Sequence, residues 1–197
     1  MKNKESNQAL ALDRDAIAEI FAEIAIEAAV AVMAVYAGDI KARRKPDGSP
    51  VCDADEAAEA IILKRLAMRL PHLPVLAEEA ASRGETTVLK AAFILVDPVD
   101  GTREFLSRNG EFTVNIGLIV DAAPVAGVVY APALEHLWIG GAAASTCTIA
   151  PGAPLPATGE AEAHSCAAGA GAGLDRPREP LPRQSSNRGF SRKAPGH

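Results

Sequence analysis

Apolar residues recur at steps of three and four through Ile17, Ile20, Phe21, Ile24 and Ala28, the spacing that lays one face of a helix on a core. Asp13 precedes this run as an N-cap and Gly38 closes it, so the pattern predicts a helix over residues 13–37. A second helical pattern covers 53–70, with Ala57, Ile61, Ile62, Leu66 and Leu70 on one side and Pro71 and Pro74 as its stop. The period then changes. Short apolar stretches follow at 75–77, 93–96, 112–120, 124–130 and 134–139. In the third, Val114, Ile116 and Leu118 alternate with Thr113, Asn115 and Gly117, which is a strand period. Asp121-Ala122-Ala123-Pro124 reads as a hairpin turn, and two helices followed by a run of strands predict an α+β fold.

The most informative segment lies where the second of these strands breaks. Phe93-Ile94-Leu95-Val96 runs into Asp97-Pro98-Val99-Asp100-Gly101-Thr102-Arg103-Glu104-Phe105. Two carboxylates three residues apart at the end of a buried strand are costly, because desolvation and mutual repulsion both disfavour their charged forms. A hard divalent cation with oxygen ligands removes that cost. Pro98 is expected to end the strand, and Gly101 to permit the turn that aims Thr102 back at the site. A second acidic pair, Glu78-Glu79, follows the apolar stretch 73–77, so two strand ends carrying carboxylates can converge at one edge of a sheet. The spacing predicts a metal site with a hydroxyl beside it.

These residues, with Lys45-Pro46-Asp47-Gly48-Ser49-Pro50-Val51-Cys52-Asp53-Ala54-Asp55 upstream, resemble the inositol monophosphatase superfamily of magnesium-dependent, lithium-sensitive phosphatases. The continuation Arg103-Glu104-Phe105 and Asn109-Gly110-Glu111-Phe112-Thr113-Val114-Asn115-Ile116 resembles one branch, the bacterial 3'(2'),5'-bisphosphate nucleotidases. The likeness covers roughly residues 13–140. It implies the N-terminal half of an alternating α/β/α/β/α sandwich. It also implies Mg2+ as cofactor, two or three ions, and hydrolysis of adenosine 3',5'-bisphosphate to AMP and phosphate, the recycling of a by-product of sulfur assimilation. Inositol 1-phosphate is the alternative substrate, and a fragment that binds metal or a partner without turnover is the alternative of another class.

Carried over by the same resemblance, Glu78, Asp97, Asp100 and the Val99 carbonyl are implied as metal ligands. Asp55 and Thr102 are implied as a catalytic pair in which the Thr102 hydroxyl orients a water. Glu78, Val99, Asp100, Gly101 and Thr102 are implied by the resemblance to line the substrate. Glu79 is implied as a carboxylate further out, although alone it reads as an exposed loop residue. Asp55 alone reads as a helix N-terminal residue. A Thr hydroxyl can donate to a carboxylate and accept from water, which makes the pair chemically sensible. Residues 102–108 are expected to form a short helix whose first amides face a phosphate. Arg103, Arg108 and Lys45 are candidates for a second phosphate, each reading otherwise as a surface cation, and Cys52, His72 and His136 read as structural.

Composition narrows the partners. The net charge of −5 gives no electrostatic case for nucleic acid, and an acidic protein with a phosphate substrate needs cations between them. Cys52, Cys147 and Cys166 are too few and scattered for a disulfide framework or zinc site. A cytoplasmic location is expected, free or peripheral on the inner membrane, with a homo-oligomer as an open possibility. The apolar stretch 24–37 is interrupted by Glu27 and short of the ~20 residues a span requires, so a buried helix is expected rather than an integral membrane segment. Residues 1–12 are expected to be a flexible N-terminus and 13–145 the phosphatase domain. From 146 to 197 a low-complexity, disordered tail is expected, since residues 151–197 hold 7 of the 14 prolines and 7 of the 16 glycines. No Trp-Asp-x-Ala-Ala motif, the source of a further metal ligand in the family, occurs in the sequence. A truncated or frameshifted gene is the expected origin of the change of character after about residue 140, with an evolved linker as the alternative.

Overall fold

The structure, a computed structural model, describes residues 13–40, 42–44, 50–156 and 167–168. The expected flexible N-terminus, Lys45, Cys166 and most of the expected tail lie outside the described residues. Helix α1 (Arg14–Ala37) opens at Asp13, whose Oδ1 accepts from the amides of Asp15 and Ala16 at 3.1 and 3.3 Å. By length and composition alone α1 could cross a membrane, but ten of its residues, among them Phe21 and Val32, are buried within this fold. A short antiparallel ribbon, β1 (Ala42–Arg44) and β2 (Pro50–Cys52), leads directly into α2 (Asp53–Arg69). Arg65 grips Glu27 through both carboxylate oxygens at 2.7–3.0 Å, and Arg69 meets Glu23 at 2.9 Å, so the exposed sides of α1 and α2 are clipped together.

The helices lie on one face of a sheet ordered β3-β4-β5-β6-β7-β8-β9. Its strands are β3 (Val75–Ala77), β4 (Ala92–Asp100), β5 (Thr113–Val120), β6 (Ala123–Ala131), β7 (His136–Gly140), β8 (Ala144–Thr148) and β9 (Ala167–Ala168). The β3–β4 pair is parallel, with α3 (Glu78–Ser82) in its crossover, and all other pairs are antiparallel. Alternation places Ile94, Val96, Val114, Ile116, Leu118 and Leu137 in the core against α1 and α2. Leu95, Val129 and Trp138 stand exposed on the opposite face. Helix α4 (Thr102–Ser107) follows β4, and Phe105 packs with Phe112 and Tyr36 at ring distances of 4.8 and 5.1 Å, tying α4 to the end of α1. The mixed α+β class follows the expectation.

Two expectations change. Pro98 does not end its strand: β4 continues to Asp100, and the ladder shifts register between Asp97 (opposite Asn115) and Asp100 (opposite Thr113). A bulge absorbs the missing donor of proline, so the chain pairs again beyond it. The expected boundary at 145/146 falls inside β8, and order continues past it. Cys147 and Ile149 are buried, and the Tyr130 hydroxyl donates to the Ile149 carbonyl at 2.7 Å. Ala-Ser-Thr-Cys-Thr buries one side chain, the small Cys147, too little apolar alternation to mark a strand in sequence.

Candidate active site

Sheet register builds the site. In the parallel pair β3–β4, Ala77 lies opposite Val96, so the residues that follow, Glu78 at the start of α3 and Asp97 on β4, emerge at the same sheet edge. Burial pushes the Asp97 carboxyl up to about 7; the charge of Glu78, a hydrogen bond shared with it, and the charge of Asp100 all add to the rise. The Val99 amide pulls the other way. Asp97 Oδ1 is buried without a hydrogen-bond partner. Two mutually repelling carboxyls with an unbonded buried oxygen between strand ends form a donor set suited to a hard cation.

The remaining implied ligands are less convergent. Asp100 is exposed, and its Oδ2 accepts from Asn115 Nδ2 at 3.3 Å. The Val99 side chain is buried and its carbonyl accepts from the Thr102 hydroxyl at 3.2 Å. Among the described residues no three His, Cys, Asp or Glu side chains are arranged to hold a metal ion. Glu78 and Asp97 are therefore the pair that the fold brings together, with Asp100 near enough for its charge to be felt.

Gly101 supplies the turn as expected. Its φ of +88° is left-handed, and a Cβ there would lie 3.0 Å from the Glu111 carbonyl oxygen, so glycine fits where a side chain does not. The chain then enters α4 at Thr102. The implied pairing of Thr102 with Asp55 is replaced by other contacts: the Thr102 hydroxyl goes to Val99, while Asp55 Oδ2 accepts from the Cys52 amide and thiol, both at 2.9 Å. A short polar side chain three residues beyond the N-cap of α2 finds its nearest donor in the helix end itself. Asp55 is nonetheless buried at 2% exposure, far from an ordinary solvated N-terminal residue. Burial, then the bond to Asp55, pushes the Cys52 thiol up to about 12, which leaves it a structural donor and not a nucleophile.

Glu79 is not the exposed loop residue that it resembles in isolation, for it is 2% exposed within α3. Arg108, a candidate for a second phosphate, spends its guanidinium on the Tyr36 and Gly38 carbonyls at the end of α1. Arg103 is exposed beside the site. His72 is exposed, and His136 sits against Trp138 at 4.3 Å with Nε2 2.8 Å from the Thr146 hydroxyl. Sequence reasoning missed Glu59, buried at 2%; the signal available was its place one helical turn after Asp55.

From Asp97 and Asn115 an open cleft of about 720 Å³ crosses the outer sheet face over Gly117, Gly127 and Gly140 to Trp138. None of its described lining residues is a Lys, Arg or His.

A helix layer on a mixed sheet, with an acidic parallel-strand edge beside a glycine turn, defines a mixed α+β protein. Solved structures agree. CysQ from Bacteroides thetaiotaomicron superposes with a TM-score of 0.57 at 34% identity, over 73% of this chain and 53% of that one. The extragenic suppressor protein SuhB from Bartonella henselae gives 0.59 at 26% identity, over 66% and 51%. The sequence matches the inositol monophosphatase family over residues 13–182, and the chain belongs to that family. The match runs beyond residue 140, where the motif resemblance stops. The 3'(2'),5'-bisphosphate nucleotidase CysQ of Salmonella typhimurium is 48% identical over 118 residues, 59% of this chain and 48% of the relative. A histidinol-phosphatase of Mycobacterium tuberculosis is 40% identical over 100 residues, 51% of this chain and 37% of the relative. The chain thus spans about half the length of the curated relatives it matches.

Proposed function

We propose that the protein acts as a metal-dependent phosphomonoesterase whose substrate is a 3',5'-bisphosphorylated nucleoside, cleaved to the monophosphate and inorganic phosphate. The observation that carries the reading is the Glu78–Asp97 pair, whose buried, unbonded oxygen and raised carboxyl call for a cation. The 42–48% identity with enzymes named 3'(2'),5'-bisphosphate nucleotidase supports the substrate class.

Glu78 and Asp97 hold Mg2+ in this reading, and the Val99 carbonyl and Asp100 complete its surroundings from the bulged end of β4. Bound there, Mg2+ supplies positive charge to the phosphoryl oxygens and acidity to water. The chain's own part is positional. Gly101 brings the first amides of α4 toward the phosphate, and the Thr102 hydroxyl, turned from Val99, orients the attacking water. Asp55 serves as its acceptor once the hydroxyl has swung inward. Arg103 is the exposed cation on hand for a second phosphate.

Metal binding without turnover is the second reading, favoured by the convergence of two carboxylates instead of three among the described residues. One experiment separates the readings. Purified protein is assayed for phosphate release from adenosine 3',5'-bisphosphate and from inositol 1-phosphate, with Mg2+ and with chelator. Mg2+-dependent release from the nucleotide is expected. Preference for the inositol ester overturns the substrate, and Mg2+ binding with no release from either establishes the second reading.

A further inference from the structure

Glu59 is a buried carboxylate that no part of the proposed chemistry uses. It lies on α2, is 2% exposed, and directs both oxygens at a different element. Oε2 accepts from the amides of Glu79 and Ala80 at 2.8 and 3.3 Å, the first turn of α3. Oε1 accepts from Arg83 Nη2 at 3.0 Å, and Arg83 is the residue that caps the other end of α3. One carboxylate therefore ties both ends of a five-residue helix.

Such a helix does not persist alone, because its nucleation cost is spread over too few hydrogen bonds. A buried carboxylate is itself costly unless donors surround it. The fold accepts both costs at the element whose first residue is Glu78, which meets Asp97 across β3 and β4. Glu59 also stands one helical turn from Asp55 on the same helix, and both are 2% exposed. A shift of α2 moves Asp55 and the α3 anchor together.

We infer that Glu59 is a positioning residue: through the α3 amides and Arg83 it fixes Glu78 against Asp97 and keeps that pair in register with Asp55. The inference rests on the metal reading of the Glu78–Asp97 pair for its consequence, while the clamp itself stands on geometry alone. Glu59 touches neither substrate nor metal and acts through the backbone of α3.

The test uses the full chain and two readouts. Amide hydrogen exchange reports the clamp, and calorimetric titration with Mg2+ alone reports its consequence. Glu59→Gln keeps the shape, loses the charge that Arg83 meets, and points an amide at donors. It is expected to speed exchange at Glu79 and Ala80 at least tenfold while β5 amides stay protected, and to weaken Mg2+ binding by 10-fold or more, the usual scale for groups that orient ligands. Arg83→Gln, which removes one bond of three, is expected to weaken Mg2+ binding about twofold. Val128→Ala, a core truncation on β6, serves as a control for lost stability and is expected to leave both readouts unchanged. Unchanged α3 exchange in Glu59→Gln overturns the clamp, and Mg2+ affinity no weaker than in Val128→Ala overturns positioning. A wild-type chain that binds no Mg2+ overturns the metal reading instead, and exchange still decides the clamp.

Discussion

Glu59 and Asp97 are both withdrawn from water at the junction of α2, α3 and β4, yet their surroundings are opposites. Glu59 faces three donors, two helix amides and a guanidinium. Asp97 faces Glu78 and Asp100, keeps one oxygen without a partner, and is pushed up to about 7. The first carboxylate is saturated and locks structure; the second is frustrated and has room for an added positive charge. Burial alone does not mark a functional acid. What distinguishes the two is whether the protein provides the donors or leaves them to a ligand.

Removing each acid in turn puts the contrast at risk. Glu59→Ala leaves the two α3 amides unmet, while the exposed Arg83 keeps Glu85 at 2.9 Å, and two buried donors without an acceptor together cost about 3 kcal/mol. Urea unfolding monitored by circular dichroism is the measurement, and a loss below about 1 kcal/mol breaks the claim that this acid is structurally saturated.

Asp97→Asn should act in the other direction. In chelator the folded chain holds the Asp97 proton up to about 7, whereas the unfolded chain releases it near the ordinary carboxyl value. The folded state then binds more protons between about pH 4 and 7, so wild-type stability falls as pH rises through that window and is level above it. The full separation corresponds to ~4 kcal/mol, which partial exposure of Asp97 screens to about 2 kcal/mol. Asn carries no such charge, so the variant gains about 2 kcal/mol over wild type at pH 8 and nothing at pH 4. Mg2+ should reverse the order by stabilising wild type alone. Equal stability of the two proteins in chelator at pH 8 would falsify the frustrated pair.

Much of this contrast was legible before any coordinate. The 3.6-residue period marks α1 and α2 to within a residue or so, and β3 coincides with its apolar run. The Asp97–Thr102 segment announces its chemistry through carboxylates that have no reason to sit together at a strand end. Glu59 was hidden because a lone Glu in a helical pattern reads as a solvent-side residue, and its partners lie 20 to 24 residues further on. Asp55 was legible as a helix-start acid and as a family acid, but its donor, Cys52, was not, because a cysteine is not among the residues that mark a helix N-cap in sequence. Pro98 misled for a related reason: a bulge is a property of two strands, and one strand's sequence does not reveal it.

The turn between strand and helix, one residue beyond Asp100, is set by backbone geometry and not by the frustrated acid. Gly101→Ala forces a left-handed side chain against the Glu111 carbonyl, and the expected loss is about 1.5 kcal/mol, read as a shift in the urea midpoint. Mg2+ should not recover it, because the strain is in the backbone and not between carboxyls. Full recovery by Mg2+ would show instead that Gly101 is set by the cation.

The smallest effect comes from a neutral counterpart to both acids. The Tyr130 hydroxyl is fully buried and donates to the Ile149 carbonyl at 2.7 Å. Burial pushes its ionisation well above the ordinary range, so it is a donor at every working pH. Tyr130→Phe removes one neutral hydrogen bond and leaves a carbonyl unmet, which costs about 1 kcal/mol. Because no charge is involved, that loss should be the same at pH 5 and pH 8 and indifferent to Mg2+, unlike the effect at Asp97. It also tests the segment beyond β8, since the carbonyl belongs to a residue that composition alone would have assigned to a tail. A Tyr130→Phe chain as stable as wild type in urea at both pH values would mean that Ile149 is not held against the sheet in solution.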